Sequence, residues 1–187
     1  MLHFWDQDWD LHIEQCPCDV HLLEWLEQER HTNKAIFHFG TGTHHIVGLK
    51  TAEDGSNNAV LGITASRGEY DAYVKMLIDK PKLGFTYKAY FGDIYQLDRR
   101  LLPTLDIVAL FHVGEFRSDK NDAYGALTDL QMTEALLDQM RVGGSMLFYE
   151  GSYAFDVAER TFTALVKRGR LKVGPTFKTL RTFQKIV

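Results

Sequence analysis

The stretch AIFHFGTGT, at positions 35–43, carries the strongest signal for the fold. Its first five residues form a short apolar run, which predicts a buried strand, and two glycines separated by one residue follow at once. A helix is predicted directly after them, over residues 43–52. Glycines let the backbone turn sharply and approach a ligand closely, while the N-terminal end of a helix attracts negative charge. The stretch therefore predicts a strand, a ligand-binding turn and a helix in succession.

The rest of the chain continues this alternation of strands and helices. Further strands are predicted at residues 59–64, 85–91, 105–113 and 145–149, with two closing runs at 171–177 and 179–187 that are spaced to pair as a hairpin. Such alternation indicates parallel strands connected by helices. We therefore expect a three-layer α/β/α, doubly wound fold: a mostly parallel seven-stranded sheet with a C-terminal antiparallel hairpin.

Polar residues that favour helix starts precede several of the helical segments. Asp19 is expected to cap the first helix, and Ser152 precedes the last. Ser66 and Glu69 have the spacing of a capping box, in which the two side chains satisfy each other's free backbone amides. A long helix is predicted over residues 122–140.

Length and composition restrict the class of protein. The chain has 187 residues, close to one domain's worth, and a formal net charge of −4. This charge gives no footprint for nucleic acid, and no apolar run is long enough to cross a membrane. The first ten residues are acidic and rich in tryptophan, unlike a signal peptide. The only two cysteines flank Pro17, which suggests free thiols in a reducing cytoplasm.

The order of motifs along the chain resembles a known family. The Gly40-Thr41-Gly42 turn is followed by GITAS at 62–66, by Gly92-Asp93-Ile94, by an apolar strand at 105–111, and by a helix with a glycine pair at 136–144. Taken in order, from residue 33 to the C-terminus, this set is similar to the class I S-adenosylmethionine-dependent methyltransferases. The resemblance implies a Rossmann-like domain at residues 33–187, preceded by a helical lid segment at 1–32 that carries Trp5, Trp9 and Trp25.

The resemblance also implies which residues hold the cofactor, S-adenosylmethionine. They are expected to be His38, Gly40, Thr41, Gly42, Thr64, Ala65, Asp93, Ile94 and Phe111. In this family the position of Asp93 commonly faces the adenine, and the position of Thr64 grips the ribose. The chain departs from the family where His38 and Thr64 replace residues that are usually acidic, and where His44 replaces a third glycine.

His112 and Glu115 are the candidate catalytic residues. His112 follows the fourth strand, at the position that faces cofactor and substrate in this family, and its ordinary pKa of ~6.5 suits a general base. Glu115 would orient it or take the proton itself. The alternative interpretation is a surface loop with no catalytic part. We expect methyl transfer to a small-molecule acceptor, because nothing in the composition favours nucleic acid.

Two other function classes compete with this hypothesis. The first is a methyltransferase-like binding module without activity, suggested by the replaced acids; the edge strands of the closing hairpin also offer a surface for a homodimer. The second is a metal-dependent enzyme, since four histidines could converge at the carboxyl ends of the first and fourth strands: His38, His44, His45 and His112. A separate set, His12, Cys16, Cys18 and His21, contains zinc-ligand residue types at a spacing that matches no usual zinc pattern. On these grounds no metal ligand is assigned.

Overall fold

A computed structural model of the protein describes residues 5–187, so the first four residues of the expected lid lie outside the described part. The strands are β1 (Ala35–Phe39), β2 (Ala59–Thr64), β3 (Tyr87–Phe91), β4 (Leu105–Leu110), β5 (Met140–Tyr149), β6 (Leu171–Val173) and β7 (Leu180–Lys185). The α-helices are α1 (Cys18–Gln28), α2 (Ile46–Glu53), α3 (Arg67–Asp79), α4 (Asp119–Asp122), α5 (Asp129–Gln139) and α6 (Phe155–Lys167). Short 3₁₀ turns cover Pro81–Phe85, Ile94–Gln96 and Arg99–Leu101.

All seven strands form one sheet in the order β3-β2-β1-β4-β5-β7-β6. The first five of these are parallel, and β7 pairs antiparallel with both β5 and β6. From β1 the chain first builds outward on one side, to β2 and β3, and then returns to place β4 on the other side. The predicted mostly parallel sheet with a closing antiparallel hairpin is confirmed.

Apolar side chains fill both faces of the sheet and define the three layers. One cluster packs α5 and α6 against the strands, with Leu136 and Phe162 among its buried members. The other packs α1 and α2 against the opposite face, with Leu22 and Val47 buried. Helix α1, which belongs to the expected lid segment, is therefore a component of one outer layer. Among the described residues, no helix is long and apolar enough to cross a membrane.

Two helix boundaries and one capping box differ from the sequence-based expectation. Asp19 lies inside the first turn of α1, after Pro17 at the N-cap position, and its buried carboxylate accepts a hydrogen bond from another side chain. Helix α2 begins three residues later than predicted, because His45 adopts a left-handed conformation with φ of 44°. Ser66 does accept the amide of Glu69 at the start of α3, whereas the Glu69 carboxylate accepts bonds from two threonines. The capping box is thus only half formed.

Only the second part of the predicted long helix over 122–140 is helical, since α4 ends at residue 122 and α5 covers Asp129–Gln139. Gly125, with φ of 70°, lies in the turn that separates α4 from α5, and a capping box between Thr128 and Gln131 starts α5. Strand β5 then begins directly after α5, so the glycine pair at 143–144 lies inside this strand instead of before it. A strand start was missed here because the residues between α5 and the apolar end of β5 are largely exposed and carry little hydrophobic pattern.

Gly48 provides a test of the packing between α2 and the sheet. A Cβ atom at this position would lie 2.4 Å from the ring of Tyr87, which is fully buried. We expect Gly48→Ala to lower the free energy of unfolding by about 1–3 kcal/mol, despite the better helix propensity of alanine. Urea denaturation measures it. Gly84→Ala is the matched control, since its Cβ would meet neighbours only at 3.5 Å; equal stability of both variants would contradict the packing described here.

Candidate active site

A cavity of about 380 Å³ opens at the carboxyl ends of the parallel strands, around the point where the strand order reverses between β1 and β4. Ligands bind at this place in open α/β sheets, and the volume lies within the usual range for small-molecule sites. The predicted site residues that line it are Gly40, Gly42, Thr64, Ala65, Asp93, Ile94, His112 and Glu115. The fold thus brings residues from four separate strand ends to one cavity.

The other three predicted cofactor residues lie behind the cavity wall. His38 is buried and its Nε2 donates to Asp19 Oδ1 at 2.9 Å. Thr41 is buried with its hydroxyl on Glu69, and Phe111 belongs to the apolar cluster on the α1 face. These residues support the site without facing it.

The glycine turn has the geometry of a close backbone approach. Gly40 and Gly42 have φ of 89° and 56°, values that residues other than glycine rarely adopt. A Cβ on Gly42 would lie 2.8 Å from the carbonyl oxygen of Trp9. The backbone N–H of Thr43 donates to that same carbonyl at 2.8 Å. The turn is therefore held against the N-terminal segment.

His45 has a structural role. Its Nε2 lies 2.7 Å from the carbonyl oxygen of Glu69 and its Nδ1 lies 2.6 Å from the hydroxyl of Tyr87, so both ring nitrogens are engaged. Burial lowers the pKa of His45 to about 4, which keeps the ring neutral. His38 is likewise occupied by Asp19. The four-histidine metal cluster considered from the sequence is therefore not assembled.

Glu69 is the site residue that sequence reasoning missed. Its Oε2 accepts hydrogen bonds from the hydroxyls of Thr64, at 2.6 Å, and Thr41, at 3.3 Å, and the residue lines the cavity although only 3% of its surface is exposed. A carboxylate thus stands beside the end of β2, where the family usually has an acid and this chain has Thr64. The sequence signal was present but was assigned to the capping box.

Asp93 serves both as a cap and as a cavity wall. Its Oδ1 accepts the amide of Tyr95, which starts the 3₁₀ turn after β3. Its Oδ2 accepts bonds from the Asn121 side-chain amide at 2.8 Å and from the Tyr124 hydroxyl. Asp93 is therefore a cap that also lies on the cavity wall, with Asn121 as a buried polar neighbour, and its contact with the adenine stays a prediction.

At the β4 end of the cavity, two thiols meet an imidazole. Cys16 Sγ and Cys18 Sγ lie 3.4 Å apart, and each is 3.9 Å from His112 Nε2. On the other side of the ring, His112 Nδ1 forms an ion pair with Glu115 Oε2 at 3.2 Å. Glu115 Oε1 accepts from the hydroxyl of Ser152 at 2.5 Å. The sequence pattern had grouped the cysteines with His12 and His21, but His21 is bonded to Thr179 instead.

The charges in this cluster are coupled. The hydrogen bond from Cys18 and the nearby His112 lower the pKa of the Cys16 thiol to about 5. Burial disfavours the charged form of His112, but its contacts with Cys16 and Glu115 outweigh burial and raise the pKa of the ring to about 10. Burial is also outweighed at Glu115, whose pKa lies below its ordinary value because of His112.

The N-terminal segment before α1 covers the cavity. Trp5 and Trp9 pack edge-on around Phe116, and Trp5 pairs with Ser66 in an isolated parallel bridge at the end of β2. Trp5 and Trp9 both line the cavity, whereas Trp25 is buried in the α1 layer. Of the segment predicted as a lid, the part before α1 thus lines the cavity, whereas α1 itself packs in the outer layer.

The same arrangement of strands and helices occurs in solved structures. One match is TrmN from Thermus thermophilus, with TM-score 0.62 and 10% identity over 90% of this chain and 49% of that one. A protein from Methanococcus maripaludis assigned as an S-adenosyl-L-methionine-dependent methyltransferase gives TM-score 0.64 and 11% identity, covering 92% and 87%. An rRNA methylase from Streptococcus thermophilus gives 0.58 and 16%, covering 90% and 97%.

This chain shares its fold with these three proteins. The fold implied by the motif order is thereby confirmed. The chain spans about half the length of the Thermus protein. No protein-family model and no curated protein matches the sequence. At 10–16% identity the likeness to the solved structures establishes the shared fold.

The buried carboxylate of Glu69 gives a pH-dependent stability. Burial raises the pKa of Glu69 against the opposing effect of its hydrogen bonds from Thr64 and Thr41. An acid with a raised pKa in the folded state favours folding at low pH, and this contribution is lost as the pH rises through the raised pKa. Glu69→Gln keeps an acceptor for both hydroxyls without the charge. We expect its stability relative to wild type to increase between pH 4.5 and pH 7.5, by about 1.4 kcal/mol for each unit by which the pKa is raised.

Urea denaturation of both proteins at the two pH values measures this difference. Other titrating groups cancel between wild type and variant, since they are common to both. A constant difference would show that folding leaves the pKa of Glu69 unchanged, and a difference that decreases as the pH rises would show that its charged form is stabilised. Either result would contradict the prediction.

Proposed function

We propose that the chain binds S-adenosylmethionine in this cavity and transfers its methyl group to a small-molecule acceptor. One observation carries the proposal: the glycine turn, Glu69 with Thr64, and Asp93 converge on one cavity at the strand-order reversal of a methyltransferase-type sheet. These are the ends of three successive strands, β1, β2 and β3. Each strand end supplies a group that suits one part of the cofactor: the methionine, the ribose or the adenine.

The residues present fit the cofactor along its length. Gly40 and Gly42, with their positive φ angles, bring bare backbone to the cavity wall, which suits close approach of the methionine end. Glu69 supplies a carboxylate acceptor for the ribose hydroxyls, in place of the acid that Thr64 replaces. Asp93 and Ile94 lie next along the wall and suit the adenine.

When bound, the cofactor supplies an electrophilic methyl group on a positively charged sulfonium. The residues of the chain have to align an acceptor with it and to exclude water. Trp5, Trp9 and Phe116 form an apolar cover suited to excluding water. His112 and Glu115 stand at the end of β4, and we place them beside the acceptor, with Glu115 holding the imidazole in position.

A small acceptor is favoured over nucleic acid by the charge of the cavity. Its walls carry the carboxylates of Asp10, Asp19, Glu69, Asp93 and Glu115 without a single lysine or arginine among the described lining residues. A phosphate backbone needs basic side chains, and the chain as a whole carries a net charge of −4. The same acidic walls suit a cationic cofactor.

Calorimetric titration with S-adenosylmethionine and S-adenosylhomocysteine tests the proposal. We expect binding in the micromolar range by the wild-type protein. Gly42→Val should abolish it, because the side chain would meet the Trp9 carbonyl, and Asp93→Asn should weaken it by about tenfold, the effect of one charged hydrogen bond.

Asp98→Asn is the matched control for Asp93. Asp98 also caps a 3₁₀ turn, through the amide of Arg100, but it lies outside the cavity. Its variant should bind the cofactor as the wild type does. If the folded wild-type protein binds neither S-adenosylmethionine nor S-adenosylhomocysteine, the proposal fails. The alternative of a methyltransferase-like module without activity would then describe the protein better.

A further inference from the structure

We propose that Cys16, Cys18 and His112 form a binding site for a zinc-type divalent metal ion, with one coordination position open to the cavity. The three side chains come from two distant parts of the chain, and their ligand atoms lie within 4.8 Å of one another. All three residues line the cavity.

The spacing of the ligand atoms matches tetrahedral coordination. Zinc bonds to sulfur at about 2.3 Å and to nitrogen at about 2.0–2.1 Å, so tetrahedral ligands lie about 3.8 Å apart for two sulfurs and about 3.6 Å apart for sulfur and nitrogen. The observed separations are 3.4 Å between the sulfurs and 3.9 Å from each sulfur to His112 Nε2. Shifts of about 0.4 Å or less would satisfy the geometry.

The histidine is held in the orientation that a metal ligand needs. Glu115 Oε2 lies 3.2 Å from Nδ1 as an ion-pair partner without hydrogen-bond alignment. Nε2 faces the two sulfurs, where metal binding would displace its proton. Glu115 is itself fixed by the Ser152 hydroxyl and by the backbone N–H of Tyr153. A carboxylate behind a ligating histidine is the usual outer support of protein metal sites.

No fourth protein ligand completes the set among residues 5–187. Asp19 Oδ1 lies 3.8 Å from Cys18 Sγ, but it already accepts the Nε2–H of His38. Structural zinc sites have four protein ligands, whereas sites that act on a ligand keep one position open. With three ligands on the cavity wall, the fourth position faces the cavity.

Thiolate ligands decide the class of metal. Two sulfurs and one imidazole nitrogen favour zinc and similar soft or borderline ions over magnesium or calcium, which prefer oxygen. If the chain transfers methyl groups as proposed above, the metal site also narrows the class of acceptor. The acceptor would be a small molecule with a thiol or hydroxyl group that can occupy the open coordination position.

The test uses the full chain, reduced and stripped with a chelator, with both thiols counted before titration so that a Cys16–Cys18 disulfide is excluded. We expect one equivalent of Zn²⁺ to bind, and Co²⁺ to give the intense visible absorption and thiolate charge-transfer bands of a tetrahedral site. Cys16→Ser, Cys18→Ser and His112→Gln should each weaken Zn²⁺ binding by at least ~100-fold, and Glu115→Gln by about 10-fold.

His12→Gln and His21→Gln are the matched controls, since the sequence pattern had grouped these histidines with the cysteines. Both should keep one equivalent of metal with wild-type affinity, and circular dichroism checks that every variant folds. Less than stoichiometric Zn²⁺ in the reduced wild type, or full affinity in Cys16→Ser and His112→Gln, overturns the proposal.

The metal readout is independent of the cofactor. A protein that binds S-adenosylmethionine but not Zn²⁺ refutes the metal site alone. A protein that binds Zn²⁺ through the three residues but not the cofactor refutes the proposed methyl transfer and leaves the metal site standing.

Discussion

The reversal of strand order between β1 and β4 is the constraint on which the rest of the structure depends. The chain builds β2 and β3 on one side of β1 and β4 and β5 on the other. Helix α2, after β1, packs on one face of the sheet and α5, after β4, on the other, which leaves a crevice between these two strand ends. The cavity opens at this crevice, and the polar groups assigned to the site stand around it at the ends of β1, β2, β3 and β4.

Buried charge shapes the floor and walls of that cavity. Asp19 is buried against His38, and Glu69 is buried against two threonine hydroxyls. Such carboxylates are expensive to bury unless they are hydrogen-bonded, and both are. Burial raises the pKa of both carboxyls. At Asp19 the adjacent His38 outweighs burial, so the net pKa is lowered, whereas at Glu69 burial prevails and the net pKa is raised.

Much of the fold and part of the site could be predicted from the sequence. Apolar runs and glycine positions located the strands, and the strand ends located Gly40, Gly42 and Asp93 at the cavity. The predictions failed where a local sequence pattern was compatible with two different side-chain arrangements. Glu69 stands three residues after Ser66, as in a capping box. In the fold its carboxylate instead accepts hydrogen bonds from the hydroxyls of Thr41 and Thr64. His45 was considered as a metal ligand, but its two ring nitrogens contact the Tyr87 hydroxyl and the Glu69 carbonyl oxygen.

By itself the sequence determined the alternation of strands and helices, because hydrophobic periodicity and backbone preferences act over a few residues. It therefore settled the sheet, its closing hairpin and which turns end at the cavity edge. The tertiary structure alone decided which distant side chains meet. Cys16 and His112 are separated by 96 positions, and their approach to 3.9 Å follows from how α1 packs beside β4. Local spacing paired the cysteines with His12 and His21 because sequence patterns carry no information about contacts made across the sheet.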